Sequence, residues 1–263
     1  MKNEIKNRLD AAIKIAKKAG QYALELRKSN NFVVTEKQKN DFVTTADKET
    51  EKLIQSELMS CFENDGFFGE EGKEIFGKGR WVVDPIDGTT NYFRNLSNWA
   101  VSIAYENDNQ DILLGVVYAP ESKDLYYAAR GLGSFRNDEK IQVSKIKDIK
   151  YSINVCVPPH RYKEYYDSYM KKYNLIGREC SDIRSYGSCA LEMCYIAQGL
   201  IDGYYELFLG YYDYAAAKVI LEEAGGMFYS WPSSINNKIN IIATNFELFS
   251  WYKNNIINEG ENE

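Results

Sequence analysis

The chain has 263 residues, 44% hydrophobic and 27% charged, with a formal net charge of −6 and a pI near 5.2. That length buries roughly 70–75% of the unfolded surface, the balance is ordinary for a soluble globular protein, and the acidic sign argues against nonspecific nucleic-acid binding, which needs a basic face. Five scattered cysteines without a Cys-x-x-Cys pair exclude a disulfide frame or cysteine zinc site, and the single histidine, His160, argues against a histidine metal site or a Ser-His-Asp triad.

No stretch approaches the ~20 apolar residues of a membrane span, and residues 1–28 are too polar for a signal peptide. The cytoplasm is the expected location, with no membrane partner. Residues 5–28 place Ile5, Leu9, Ala12, Ile13, Ala16, Ala19, Ala23 and Leu26 at helical spacing, which predicts an amphipathic helix lying on a core. Residues 29–40 are mostly polar, strand or loop. Next, Thr44 and Asp47 have capping-box spacing, with Asp where Glu or Gln is usual, ahead of a helix to about Phe62 that carries Leu53, Ile54, Leu58 and Met59. Taken alone, Asp47 is a helix N-terminal charge that complements the dipole. The run Gly66-Phe67-Phe68-Gly69-Glu70-Glu71-Gly72 is a short apolar piece followed by two acids between glycines.

Trp81-Val82-Val83 suits a buried strand. Asp84-Pro85 fixes a turn after it, because proline locks its own φ and drives the preceding residue to extended geometry. Gly88 lets backbone amides approach a ligand, and Thr89 or Thr90 can cap the segment that follows. By itself this stretch is equally a plain Asp-Pro and Asp-Gly turn between strands. Strands at 99–105, 112–119 and 124–130, separated by turn chemistry at 107–109 and 120–123, and a hairpin over 131–143 make an antiparallel meander preceded by two helices.

After Ser144 the pattern alternates: strand 151–157, helix 162–173, short strand 182–185, helix 188–198, strand 201–207, helix 214–224, strands near 226–230 and 239–243, and a last helix over 246–257. The chain is therefore expected to divide into an α+β half, residues 1–147, with the antiparallel sheet, and an α/β half, residues 148–263. No Pro- or Gly-rich linker separates them, so they should share an interface. The tail 258–263 is expected to fray. The 21 tyrosines, lacking a basic face around them, read as core, rim and strand residues rather than stacking platforms for bases.

Four acidic elements stand out: Asp47, Glu70, the Asp84/Asp87 pair, and Asp213. Asp213 opens a small-residue helix with Ala215-Ala216-Ala217 that ends at Gly225-Gly226, and an aspartate at a helix start is also a common cap. In order and spacing over nearly the whole chain, Asp41-x-Val43-Thr44-x-x-Asp47, Gly69-Glu70-Glu71, Trp81-Val82-Val83-Asp84-Pro85-Ile86-Asp87-Gly88-Thr89-Thr90-Asn91 and Asp213-x-Ala215-Ala216 ending in Glu223-Ala224-Gly225-Gly226 resemble the inositol monophosphatase family. That family belongs to the metal-dependent, lithium-sensitive phosphatases that include fructose-1,6-bisphosphatases.

The resemblance implies a layered α-β-α-β-α sandwich, of mixed α+β and α/β character, and a phosphoric monoester hydrolase that uses two to three Mg²⁺. Glu70, Asp84 and the Ile86 carbonyl would hold the first ion, and Asp84, Asp87 and Asp213 the second. A third, looser ion would rest on Glu70 and waters. Asp47 and Thr89, with Glu70, would orient the attacking water, with no covalent intermediate. The phosphate would meet the amides of Gly88, Thr89 and Thr90, while Asp87, Ser188, Cys189, Glu206 and Asp213 would touch substrate. An all-oxygen donor set suits a hard cation such as Mg²⁺ over zinc, and phosphoryl transfer asks mainly for positioning and charge neutralisation.

The sequence departs from the family pattern at Tyr212, where Trp is usual before the third aspartate, at Ala217, often Gly, and at Trp231-Pro232, where an Asp-Gly turn is common. Cys189 stands where small residues near the sugar are usual. Thr90 favours an inositol or related polyol monophosphate over adenosine bisphosphates, whose phosphatases tend to carry Lys there. A broader fructose-1,6-bisphosphatase, a phosphatase of NADP or adenosine bisphosphate, and a regulatory protein-binding relative are the alternatives. A homodimer is expected by resemblance alone.

Overall fold

The apolar stripe of the first residues forms α1 (Lys2–Lys28), in a computed structural model that describes residues 2–29, 32–38 and 41–257. A small hairpin follows, β1 (Val34–Gln38) with β2 (Asp41–Thr44), and leads straight into α2 (Thr45–Cys61). The next strands make one seven-stranded sheet: β3 (Gly66–Gly69), β4 (Arg80–Asp87), β5 (Ala100–Glu106), β6 (Ile112–Ala119), β7 (Asp124–Ala129), β8 (Gly133–Arg136) and β9 (Glu139–Lys140), in sequence order. A five-residue helix, α3 (Thr89–Phe93), sits between β4 and β5. The meander is antiparallel from β4 onward, as the turn chemistry implies, but β3 runs parallel to β4. The apolar piece at 66–69 is thus a strand of this sheet, paired through Phe67 opposite Trp81.

The second sheet has five strands in the order β11 (Asp182–Arg184), β10 (Ile153–Val157), β12 (Gly203–Leu209), β14 (Ile239–Thr244), β13 (Met227–Pro232). The strands β10, β11 and β12 are parallel and β14 reverses direction. Its helices are α4 (Tyr166–Glu179), α5 (Cys189–Ala197), α6 (Tyr211–Glu223) and α7 (Phe249–Ile256). Two boundaries differ from expectation. Residues 158–162 are irregular, so α4 begins late, after Pro158-Pro159 and a 3₁₀ turn at Lys163–Tyr165. The helix expected from Tyr214 begins at Tyr211, because Gly210 is its N-cap.

Five layers result. Leu9, Ala12, Ala16, Ile54 and Leu58 of α1 and α2 pack on Trp81, Val83, Ile103 and Val116, one face of the large sheet. The other face, including Val82, Ala104 and Val117, packs on α5 and α6, which also cover Val155, Tyr204 and Ile241 of the second sheet. The outer face of that sheet, with Cys156, Tyr205 and Ile242, lies under Tyr169 and Ile176 of α4 and Tyr252 and Ile256 of α7. The apolar run Trp81–Val83 is therefore buried on both faces, since neighbouring strand residues point opposite ways. The approach of α6 to β6 depends on Gly115, where a Cβ would lie 2.3 Å from the Ala216 carbonyl oxygen. No helix among the described residues is long and apolar enough to cross a membrane. The tail 258–263 lies outside the described residues.

Candidate active site

The turn that ends β4 carries three of the candidate ligands at once. Asp84 is buried, and its Oδ1 accepts from the Ile86 N–H at 3.0 Å, which stiffens the Asp84-Pro85-Ile86 bend. The ladder to β5 is interrupted between Asp84 and Asp87, a bulge that re-aims both acids and the Ile86 carbonyl. Gly88 then takes φ +92°, and a Cβ there would lie 2.9 Å from the Gly187 carbonyl oxygen, so two segments almost a hundred residues apart meet backbone to backbone.

Asp47 arrives from the start of α2. The capping box forms as its spacing predicts: the Asp47 N–H donates to Thr44 Oγ1, and Asp47 Oδ2 accepts from the Thr44 N–H at 2.8 Å. That accounts for one carboxylate oxygen. The other, Oδ1, accepts from Thr89 Oγ1 at 3.0 Å, so a structural cap also faces the β4–α3 turn. Burial, opposed by the Thr44 hydrogen bonds, raises the Asp47 carboxyl to about 6.

Glu70 follows β3, where its N–H donates to the Val83 carbonyl and brings it alongside β4. Asp213 is not the N-cap of α6 but its third residue, and its Oδ2 accepts from the Gly210 N–H at 2.6 Å. Gly210 has no side chain with which to cap, so the returning acid alone ties off the helix start. Asp87 Oδ2 accepts from the Ser188 hydroxyl and from the Ala190 N–H at 2.8 Å, at the beginning of α5. Burial, offset by the Ser188 hydrogen bond, raises Asp87 to about 7.

Asp84 feels all the others. Burial and then the carboxylates of Glu70, Asp87, Asp213 and Asp47 push it well above the usual carboxylate range. Acids from four separate segments thus share one region, where each raises the cost of charging Asp84. Among the described residues, no three His, Cys, Asp or Glu side chains are disposed to hold a single metal ion as they stand. The donors nevertheless fit a hard divalent cation: they are all oxygens, they are partly or wholly removed from water, and their repulsion is what a cation relieves.

The parallel strands β10 and β12 send the segments that leave them to the same carboxyl end of the second sheet, the place where α/β sheets present ligands. Glu206 is paired with Val157 there, half-buried, and accepts from the Tyr204 hydroxyl. Burial raises its carboxyl, with Arg161 pulling the other way. Phe208 takes φ +66°, unusual for an aromatic residue, and is held between Tyr162 and Tyr165 at 4.9 and 4.7 Å. Ser188 is the N-cap of α5. Cys189 is buried, its thiol pushed up by burial and by the carboxylates of Glu206, Asp87 and Asp213. Tyr212 packs against Phe68 at 6.2 Å, an aromatic contact beside Glu70. The amides of Gly88, Thr89 and Thr90 belong to a helix only five residues long, so any hold on an anion comes from individual N–H groups rather than a developed dipole.

Among the buried acids that sequence reasoning missed, two touch the segments that build the site. Glu51 of α2 accepts from the Glu71 N–H at 2.8 Å, and its carboxylate lies against Gly69 and Gly72, so a Cβ at either would displace it from the loop that presents Glu70. Its signal was its spacing: Asp47, Glu51, Ile54 and Leu58 lie on one helix face. Glu192 is a lone acid in the otherwise apolar α5.

Comparison with known proteins identifies the family. A profile described as the inositol monophosphatase family matches residues 4–259. The chain is 38% identical over 223 residues to a protein of Vibrio cholerae named Nus factor SuhB, covering 83% of each, and 35% identical over 222 residues to an inositol-1-monophosphatase of Rhizobium meliloti, again 83% of each. The crystal structure of extragenic suppressor protein suhB from Bartonella henselae superposes with a TM-score of 0.89 at 33% identity, covering 95% of this chain and 98% of that one. The chain belongs to the inositol monophosphatase family, whose layered sandwich it shares.

Proposed function

We propose that this protein hydrolyses a phosphate monoester of inositol or a related polyol with Mg²⁺ and a water nucleophile. The observation that carries this reading is the meeting of Glu70, Asp84, Asp87 and Asp213 around a bend whose acids repel one another. Glu70, Asp84 and the Ile86 carbonyl would hold one ion, Asp84, Asp87 and Asp213 a second, and Glu70 with waters a third. When bound, such cations lower the pKa of water and neutralise charge on a phosphoryl group and its departing oxygen.

The chain's own contribution is positional. Thr89 Oγ1 has one proton and two acceptors, Asp47 Oδ1 at 3.0 Å and the Ile86 carbonyl at 3.2 Å. With the carbonyl engaged elsewhere, the proton points to Asp47, which is mostly ionised at neutral pH, and a lone pair of Oγ1 is left to accept a hydrogen bond from water; as the water gives up its proton to Thr89, Thr89 passes its own to the Asp47 carboxylate. Glu70 would share in holding that water. The N–H groups of Gly88, Thr89 and Thr90 would take phosphate oxygens. Ser188, Cys189 and Glu206 would meet the alcohol portion, with Glu206 accepting from its hydroxyls. The similarity to an inositol-1-monophosphatase supports this substrate class. We further infer a cytoplasmic homodimer.

The test is phosphate release from a panel of inositol, sugar, alditol and nucleotide phosphates, with Mg²⁺ and with chelator. Mg²⁺-dependent release, fastest with a polyol monophosphate, is expected. A bisphosphate or nucleotide substrate would replace the substrate assignment. A second reading, a regulatory protein-binding role, is favoured by relatives named Nus factors. Absence of release from every substrate would leave that reading standing.

A further inference from the structure

Glu192 is 1% exposed, and the chemistry outlined above does not use it. One of its oxygens, Oε1, accepts from the Tyr186 N–H and from the Gly187 N–H, the latter at 3.1 Å. On the other side of the same turn, Asn91 Nδ2 donates to the Tyr186 carbonyl at 2.7 Å and to the Asn98 carbonyl. The turn is therefore gripped twice: its amides by α5 and its carbonyls by α3. Gly187 takes φ +79° there, a conformation open to glycine and strained for other residues. The next residues hold Asp87: the Ser188 hydroxyl and the Ala190 N–H donate to its Oδ2, and the Cys189 backbone N–H donates to the same carboxylate.

We propose that Glu192, with Asn91, is a positioning residue that fixes the 186–190 turn and through it aims the Asp87 carboxylate at the cation site. The chain of contacts is continuous: Glu192 and Asn91 hold residues 186 and 187, and the Ser188 hydroxyl with the Cys189 and Ala190 N–H groups holds Asp87. The other oxygen, Oδ1, is then presented in one direction. Outer contacts of this kind set the orientation of metal-binding side chains, and their loss typically costs about 10–100-fold in metal affinity or activity. The inference rests on Asp87 being a cation-holding residue.

The test compares Glu192→Gln, which keeps an acceptor oxygen where Oε1 stands, with Glu192→Leu, which removes it. Mg²⁺ affinity is measured by calorimetry on the metal-free protein, and hydrogen exchange is read at residues 186–190. The Gln variant should bind Mg²⁺ within about twofold of wild type, whereas the Leu variant should bind about tenfold or more weakly and exchange the Tyr186 and Gly187 amides faster. Glu192→Asp, too short to reach both amides, carries the test if the Leu variant does not fold. Asn91→Ala should weaken Mg²⁺ in the same direction. Wild-type Mg²⁺ affinity in folded Leu or Asp protein would overturn the proposal, as would a Gln variant as impaired as Leu. Failure of the proposed function itself would show differently, as a wild-type protein that neither binds Mg²⁺ nor releases phosphate.

Discussion

Replacing Asp87 by Asn separates two things that one carboxylate does. In the metal-free protein burial raises the Asp87 carboxyl from 3.8 to about 7, so its charge is unwelcome there. At roughly 1.4 kcal/mol for each pH unit, that is up to about 4 kcal/mol. The sign follows from linkage. Because the folded value is raised, this stability is full below the unfolded pKa and is lost as pH rises through about 7. Asn does not titrate, so its advantage over Asp grows across that window and levels off above it. Part of the gain is lost because the Ser188 and Ala190 hydrogen bonds no longer reach a charged acceptor, about 1 kcal/mol each. A net gain of about 2 kcal/mol at pH 8 remains, worth roughly 4–8 °C in a chain of this size. Mg²⁺ should reverse the order. At a concentration about 100 times Kd, the ion stabilises wild type by roughly 2.7 kcal/mol and the variant hardly at all. Thermal melts at pH 6 and 8, with chelator and with Mg²⁺, and phosphate release under the same conditions, give all four comparisons. Asp87→Asn protein with full Mg²⁺-dependent turnover, or less stable than wild type when metal-free at pH 8, would refute the reasoning.

Thr89→Val removes the hydroxyl that joins Asp47 to the site; turnover should fall on the order of 10²-fold or more while Mg²⁺ affinity by calorimetry changes little. Glu206→Ala should change the ratio of kcat/KM between two polyol phosphates without altering Mg²⁺ affinity, and no change in that ratio would remove Glu206 from the alcohol site. Glu192, raised to about 8 by burial, gives a second pH signature: its contribution is full below pH ~4.5 and lost as pH rises through about 8, so Glu192→Gln should gain on wild type between pH 6 and 9 in melts with chelator. Gly88→Ala must accept φ +92° and crowd the Gly187 carbonyl, and should cost about 1–3 kcal/mol in denaturant melts together with most of the turnover.

What could be read from the sequence follows from how local each signal is. The β4 run Trp81–Val83 announces burial on both faces, and the structure splits it between the α1/α2 layer and the α5/α6 layer. The Thr44–Asp47 cap was legible because its partners lie three residues apart. The parallel pairing of β3 with β4 was not, since no turn residue encodes it, and neither was the start of α6 at Tyr211, because its cap is a glycine whose partner is Asp213. The gathering of Asp47, Glu70, Asp84 and Asp213 is a tertiary fact that only resemblance to a family anticipates. Glu51 and Glu192 were overlooked for the opposite reason: an acid within an apolar helical pattern looks like an exposed position until its backbone partners are known.

The most direct measurement is anomalous diffraction from crystals of the protein grown with Mn²⁺ in place of Mg²⁺. Peaks should appear within coordination distance of Asp84, one toward Glu70 and the Ile86 carbonyl and one toward Asp87 and Asp213. Crystals with no peak at Asp84, from protein that releases phosphate under the same Mn²⁺, would contradict the assignment of these carboxylates as the metal centre.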